Sequence, residues 1–102
     1  MALTRQFKET VQMRVQQDPQ YRKELLIEAT NAFLDGDLDT GKALLKDYLN
    51  GTEALPDIAM ELSQDEKSIR RMIGPKGNPT LKNFVKLLGA CKKREDLELK
   101  VA

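Results

Sequence analysis

The sequence contains no histidine, which removes the usual general base at neutral pH and the commonest metal ligand. Its one cysteine, Cys91, can form neither an internal disulfide nor a cysteine cluster around a metal, a usage that fits a reducing compartment. A small packed thiol is the expected role. Tryptophan is absent and aromatics make up 5% of the chain. Six glycines and four prolines are too few for a fibrous or low-complexity protein. No apolar run approaches the roughly 20 residues needed to span a bilayer. The opening MALTRQFKET lacks the apolar core of a signal peptide. A cytoplasmic protein that avoids membranes is therefore expected. No nucleophile has an adjacent base, so the expectation is a non-enzyme without cofactor or metal.

What remains is a composition that favours helix. Of the 102 residues, 40% are apolar and 32% charged, with Leu, Lys, Glu, Ala and Asp prominent. The net charge of +1 conceals a strong segregation. Between Lys67 and Arg94 lie nine basic residues, Lys67, Arg70, Arg71, Lys76, Lys82, Lys86, Lys92, Lys93 and Arg94, and no Asp or Glu. All 16 acidic residues lie outside that stretch. Such a chain presents one cationic face, fitted to a polyanion, and an acidic remainder. A merely solvated charged face is the alternative.

The apolar spacing predicts six helices. The first spans about Thr4 to Gln17, with Thr4 as N-cap and Phe7, Val11 and Val15 every fourth residue. Asp18-Pro19 opens the second, whose stripe is Tyr21, Leu25, Ala29, Ala32 and Phe33, and Asp35-Gly36 ends it. The third starts near Asp37, carries Leu38, Gly41, Leu44, Leu45 and Tyr48, and is expected to stop at Asn50-Gly51. The fourth, about Pro56 to Leu62, places Leu55, Ile58, Ala59 and Leu62 at i, i+3, i+4 and i+7. A capping box, Ser63 with Glu66, is expected to start the fifth, which ends at Gly74-Pro75. After the loop Lys76-Gly77-Asn78 and Pro79-Thr80, the sixth carries the stripe Leu81, Phe84, Val85 and Leu88.

The fourth and fifth helices have the spacing of a helix-turn-helix. Ala59 is small where the second helix crosses, and Ile69 and Met72 attach that helix to the core. Lys67, Ser68, Arg70 and Arg71 then face outward, where such a motif meets base edges in the major groove. Arginine can bridge guanine O6 and N7 with two donors. Gln64 in the turn joins the candidate DNA-binding set. Lys76, Lys82 and Lys86 are better suited to phosphates, which set register without reading sequence. The predicted fold is all-α: one domain, 1–102, with an N-terminal helical pair (1–36), a helix-turn-helix core (37–92) and a C-terminal tail (93–102).

Residues 67 to 81, KSIRRMIGPKGNPTL, resemble the signature of the bacterial addiction-module antidote proteins, as do TGKALLKDYLNGT from Thr40 to Thr52 and the N-terminal helical pair. The resemblance covers nearly the whole chain and is most specific from 38 to 90. It implies a bundle like that of lambda repressor. It also implies a usually dimeric repressor encoded beside a RelE-like ribonuclease toxin, which it neutralises while regulating its own operon. The family's groove-facing positions correspond here to Lys67, Ser68, Arg70 and Arg71, and its following loop to Gly74 through Thr80. This chain departs from the pattern at Ser63, where a turn glycine is common, and at Gln64, where an apolar residue is usual. Asp65 and Glu66 favour the dipole of the helix they open but oppose phosphate.

The tail Leu97-Glu98-Leu99-Lys100-Val101 alternates as a strand does. A lone strand needs a partner for its backbone. Leu97, Leu99 and Val101 are accordingly candidate contacts, either with the same tail of a second subunit or with a toxin. Gly36 to Lys42, GDLDTGK, approaches a phosphate-binding loop, but Ala43 stands where the hydroxyl is required and no strand precedes it, so an interhelical turn is expected. Glu53, Asp57 and Glu61 read as a solvated face, and Met13, Met60 and Met72 as packing residues. The expected partners are double-stranded DNA carrying an inverted-repeat operator, a second copy of the chain, and a RelE-like toxin. A stand-alone repressor and a purely protein-binding helical module are the competing readings.

Overall fold

Six helices account for most of the 95 residues from 2 to 96 that the computed structural model describes, with side chains described from residue 10 onward: α1 Ala2–Gln17, α2 Pro19–Leu34, α3 Leu38–Thr52, α4 Leu55–Leu62, α5 Glu66–Ile73 and α6 Leu81–Arg94. No strand occurs among the described residues. The expected strand at Leu97, Leu99 and Val101 lies outside them. None of the described helices is long and apolar enough to cross a membrane.

Local chemistry explains most boundaries. The Asp18 carboxylate accepts from the N–H groups of Gln20 and Tyr21, and Pro19 supplies the preset φ of a first helical residue. Asp37 caps α3 through the Thr40 N–H and hydroxyl, at 3.2 and 2.6 Å, and these bonds hold its carboxyl below the usual range. Thr80 caps α6 through the Asn83 N–H.

Three expected boundaries shift. The first helix begins at Ala2 rather than Thr4, since Ala and Leu extend a helix readily. The third does not stop at Asn50-Gly51. It runs to Thr52, and Glu53 turns the chain with a left-handed φ of 54°. Gly51 is instead a contact point, because a Cβ there would lie 2.5 Å from the Cβ and Cγ1 of Val15 on α1. The Ser63–Glu66 capping box is not formed. Ser63 adopts φ 53° and closes α4, its N–H reaching Ala59 O and Met60 O, while Asp65 is the N-cap of α5 without a side-chain cap bond.

The helices share one apolar core, and the Cα radius of gyration of 13.1 Å is that of about 100 residues packed around a single centre. α3 lies between α1 and α2, which it contacts extensively. Gly41 permits the α2 approach, its hypothetical Cβ lying 3.3 Å from Ala29 O. The Phe33 and Phe84 rings stack at 4.1 Å and join α2 to α6. Tyr48 is fully buried and donates to Glu95 Oε2 at 2.7 Å. The other Glu95 oxygen receives Arg22 Nε at 2.9 Å, and Arg22 also caps the end of α1 through Val15 O. This network ties α1, α2, α3 and the end of α6 together.

The buried face of α6 is rotated from the expected stripe. Phe84, Leu87, Leu88 and Cys91 form it, while Leu81 and Val85 are 65% and 53% exposed. Both sets obey i, i+3, i+4, i+7 spacing, so periodicity alone does not choose between them. Among the methionines of the described residues only Met72 packs against the core; Met13 and Met60 are exposed.

Candidate nucleic-acid interface

α4 and α5 are eight residues each, joined by the three residues Ser63 to Asp65. The turn is fixed from within, as Gln64 N–H donates to Ala59 O at 2.9 Å. Leu55, Ile58 and Ala59 bury the inner face of α4 as their spacing predicts. α5 buries Ile69 and Ile73 against α3 and α4, with Met72 half-buried beside them. At about 100° per residue, that edge leaves Lys67, Ser68, Arg70 and Arg71 on the opposite arc, and all four are exposed.

The candidate residues divide between two places. Gln64, Ser68, Arg71 and Lys76 line one open concavity of about 590 Å³, together with Asn78, Thr80 and Asn83 from the loop and the start of α6. Lys67 and Arg70 do not line it, though they share the outer arc of α5. Lys82 and Lys86 are exposed one turn apart on α6. None of Lys67, Arg70, Arg71, Lys76, Lys82 and Lys86 has an ion-pair partner among the described residues. Glu66 opens α5, and Arg70 and Arg71 occupy its last turn, an order that suits the helix dipole at both ends.

Two of the other three cations of the basic stretch behave differently. Lys93 reaches Glu61 at 3.3 Å and Arg94 reaches Asp57 at 3.1 Å. Part of the face read as simply solvated is thus paired, and two of the nine cations are locally neutralised. Exposed pairs of this kind contribute little stability, about 0–1 kcal/mol, yet they leave six of the seven unpaired cations of this stretch on α5, its loop and the first half of α6, with Lys92 the seventh.

Cys91 is fully buried, and burial, with Glu95 nearby, pushes its thiol up to about 12. It is a packed side chain rather than a reactive one. The phosphate-loop look-alike is the turn between α2 and α3, and its lysine, Lys42, points inward. Lys42 is 4% exposed and donates to the carbonyls of Gly74 and Gly77. Sequence reading did not place Lys42 or Asn83 at the site, and it included Asn78 and Thr80 only as part of the loop from Gly74 to Thr80. For Lys42 the signal existed, since it falls in the buried register of Leu38, Gly41 and Leu45.

Comparison with protein-family models, curated proteins and solved structures finds no match to this chain.

Proposed function

We propose that the protein is a sequence-specific DNA-binding repressor that inserts α5 into the major groove as the second helix of a helix-turn-helix in a lambda-repressor-like bundle. The observation that carries this reading is the unpaired cationic surface formed by α5, the following loop and the first half of α6. In the proposed roles, Arg70 and Arg71 read base edges, Lys67, Ser68 and Gln64 bond bases or phosphates, and Lys76, Lys82 and Lys86 hold phosphates. Counterion release along the duplex supplies most of the affinity, and the arginines supply discrimination.

The wider setting draws on the sequence resemblance alone: a dimer at an inverted-repeat operator, acting as the antitoxin of a RelE-like toxin in a bacterial cytoplasm. Exposed Met60, Leu81 and Val85 favour, as a second reading, a module that binds only protein. Fluorescence anisotropy of a mixed-sequence duplex across a salt series separates the two. The repressor reading expects binding that weakens steeply with salt and is lost when Lys67, Arg70 and Arg71 are replaced by alanine. Absence of binding even at about 50 mM salt leaves the protein-binding module.

A further inference from the structure

Among the described residues Lys42 is the only charged one that is buried. Removing an ammonium from water is costly unless it is well bonded, so its partners define its purpose. They are two backbone carbonyls, Gly74 O at 3.0 Å and Gly77 O at 2.7 Å, more than 30 residues away in sequence. The nearest carboxylate oxygen, on Asp39, is 3.9 Å distant and belongs to a side chain that is 94% exposed. The ammonium is therefore held by the loop rather than by an opposite charge.

The two carbonyls bracket Pro75 and Lys76. Gly74 ends α5, so the Lys42 charge also sits at the negative end of that helix. The loop is folded tightly back on α5. Gly77 N–H donates to Gly74 O at 3.0 Å, and a Cβ at Gly77 would collide with the carbonyls of Arg71 and Met72. Lys42 supplies the side-chain hydrogen bonds that tie this loop to another helix.

We propose that Lys42 is the positioning residue of the DNA-facing loop. From inside the protein it fixes the backbone on both sides of Lys76 and so presents that lysine to a phosphate. The proposal rests on the DNA-binding reading for its purpose but not for its geometry, and the two can fail separately.

The geometry is tested first without DNA. In the native protein, NMR should detect hydrogen-bond couplings from the Lys42 ammonium to the carbonyl carbons of Gly74 and Gly77, and slow amide exchange at Gly77. In Lys42→Met, or the shorter donor Lys42→Gln, exchange at residue 77 should quicken while α2 and α3 amides stay protected. An averaged ammonium signal, or unchanged loop exchange in the variants, overturns the proposal. So does failure of both variants to fold, because a residue required by the whole fold is not a local positioning device.

DNA binding then tests the purpose. Lys76→Ala should lower the slope of log K against log salt by about 0.9, the value of one phosphate contact. Lys42→Met should lower it equally, and the double variant should bind within about twofold of either single one. Independent losses at the two positions contradict the proposal. A native protein that shows the couplings but binds no DNA defeats the repressor reading and leaves Lys42 as a loop anchor.

Discussion

Arg70 and Arg71 lie one position apart on α5 and differ in surroundings, since only Arg71 lines the concavity shared with Lys76. On the proposed reading, replacing a guanine-reading arginine by alanine costs about 1–3 kcal/mol at the operator and relaxes one base position. Lys82→Ala should weaken binding to every sequence alike and flatten the salt dependence. Affinities measured on the operator and on single-base variants check this, and equal, sequence-independent losses for all three substitutions would refute the division of roles. Cys91 yields a prediction independent of DNA. Its thiol stays protonated in the folded protein up to about 12, whereas the unfolded chain releases that proton near 9. The unfolded state then binds fewer protons, so this contribution to stability is complete below pH 9 and is lost as pH rises toward 12. Urea unfolding of Cys91→Ala should accordingly show a smaller decline between pH 9 and 11 than the native chain. A decline of the same size would place the thiol in contact with water.

At the scale of elements, Gly51 and Gly89 are both helical glycines with opposite surroundings. Alanine at Gly51 would meet Val15, and such overpacking costs about 1–3 kcal/mol, more than the roughly 1 kcal/mol that helix propensity returns. Alanine at Gly89 meets nothing within 4 Å, so that substitution should stabilise by about 0.5–1 kcal/mol. Urea midpoints of opposite sign are expected, and a stabilising Gly51→Ala would mean that α1 does not rest on α3 there. The same glycine shows where sequence was legible and where it was not. Asp18-Pro19, Asp37 and Thr80 announce their helix starts because a cap is local chemistry. Asn50-Gly51 looks like a stop by the same logic, but a helix three positions into its neighbour's core needs a small residue, and that requirement comes from α1. Likewise α6 holds two valid apolar stripes, and only the packing of α2 and α4 selects Phe84, Leu87, Leu88 and Cys91. Ser63 reads locally as an N-cap, yet closing α4 claims it first. At the candidate site the exposed arc of α5 was legible from Ile69 and Ile73; the burial of Lys42 was legible from its register on α3, whereas its partners Gly74 and Gly77, and those of Glu95, lie more than 30 residues away and leave no local pattern.

For the whole molecule, the organising fact is where charge remains unpaired. Of the cations at the end of α6, Lys93 and Arg94 pair with Glu61 and Asp57 on α4, and Arg22 is committed to Glu95. Those on α5, its loop and the start of α6 remain available to a polyanion. If two copies present these surfaces about a two-fold axis, their α5 helices enter successive major grooves roughly 34–36 Å apart. The most direct test is selection of bound duplexes from a random DNA pool, using the full chain at about 100 mM salt. The expected result is an enriched inverted repeat with half-site centres about 10 base pairs apart, or a multiple of that spacing, bound with a steep salt dependence. A pool that returns unenriched would contradict sequence-specific recognition by α5.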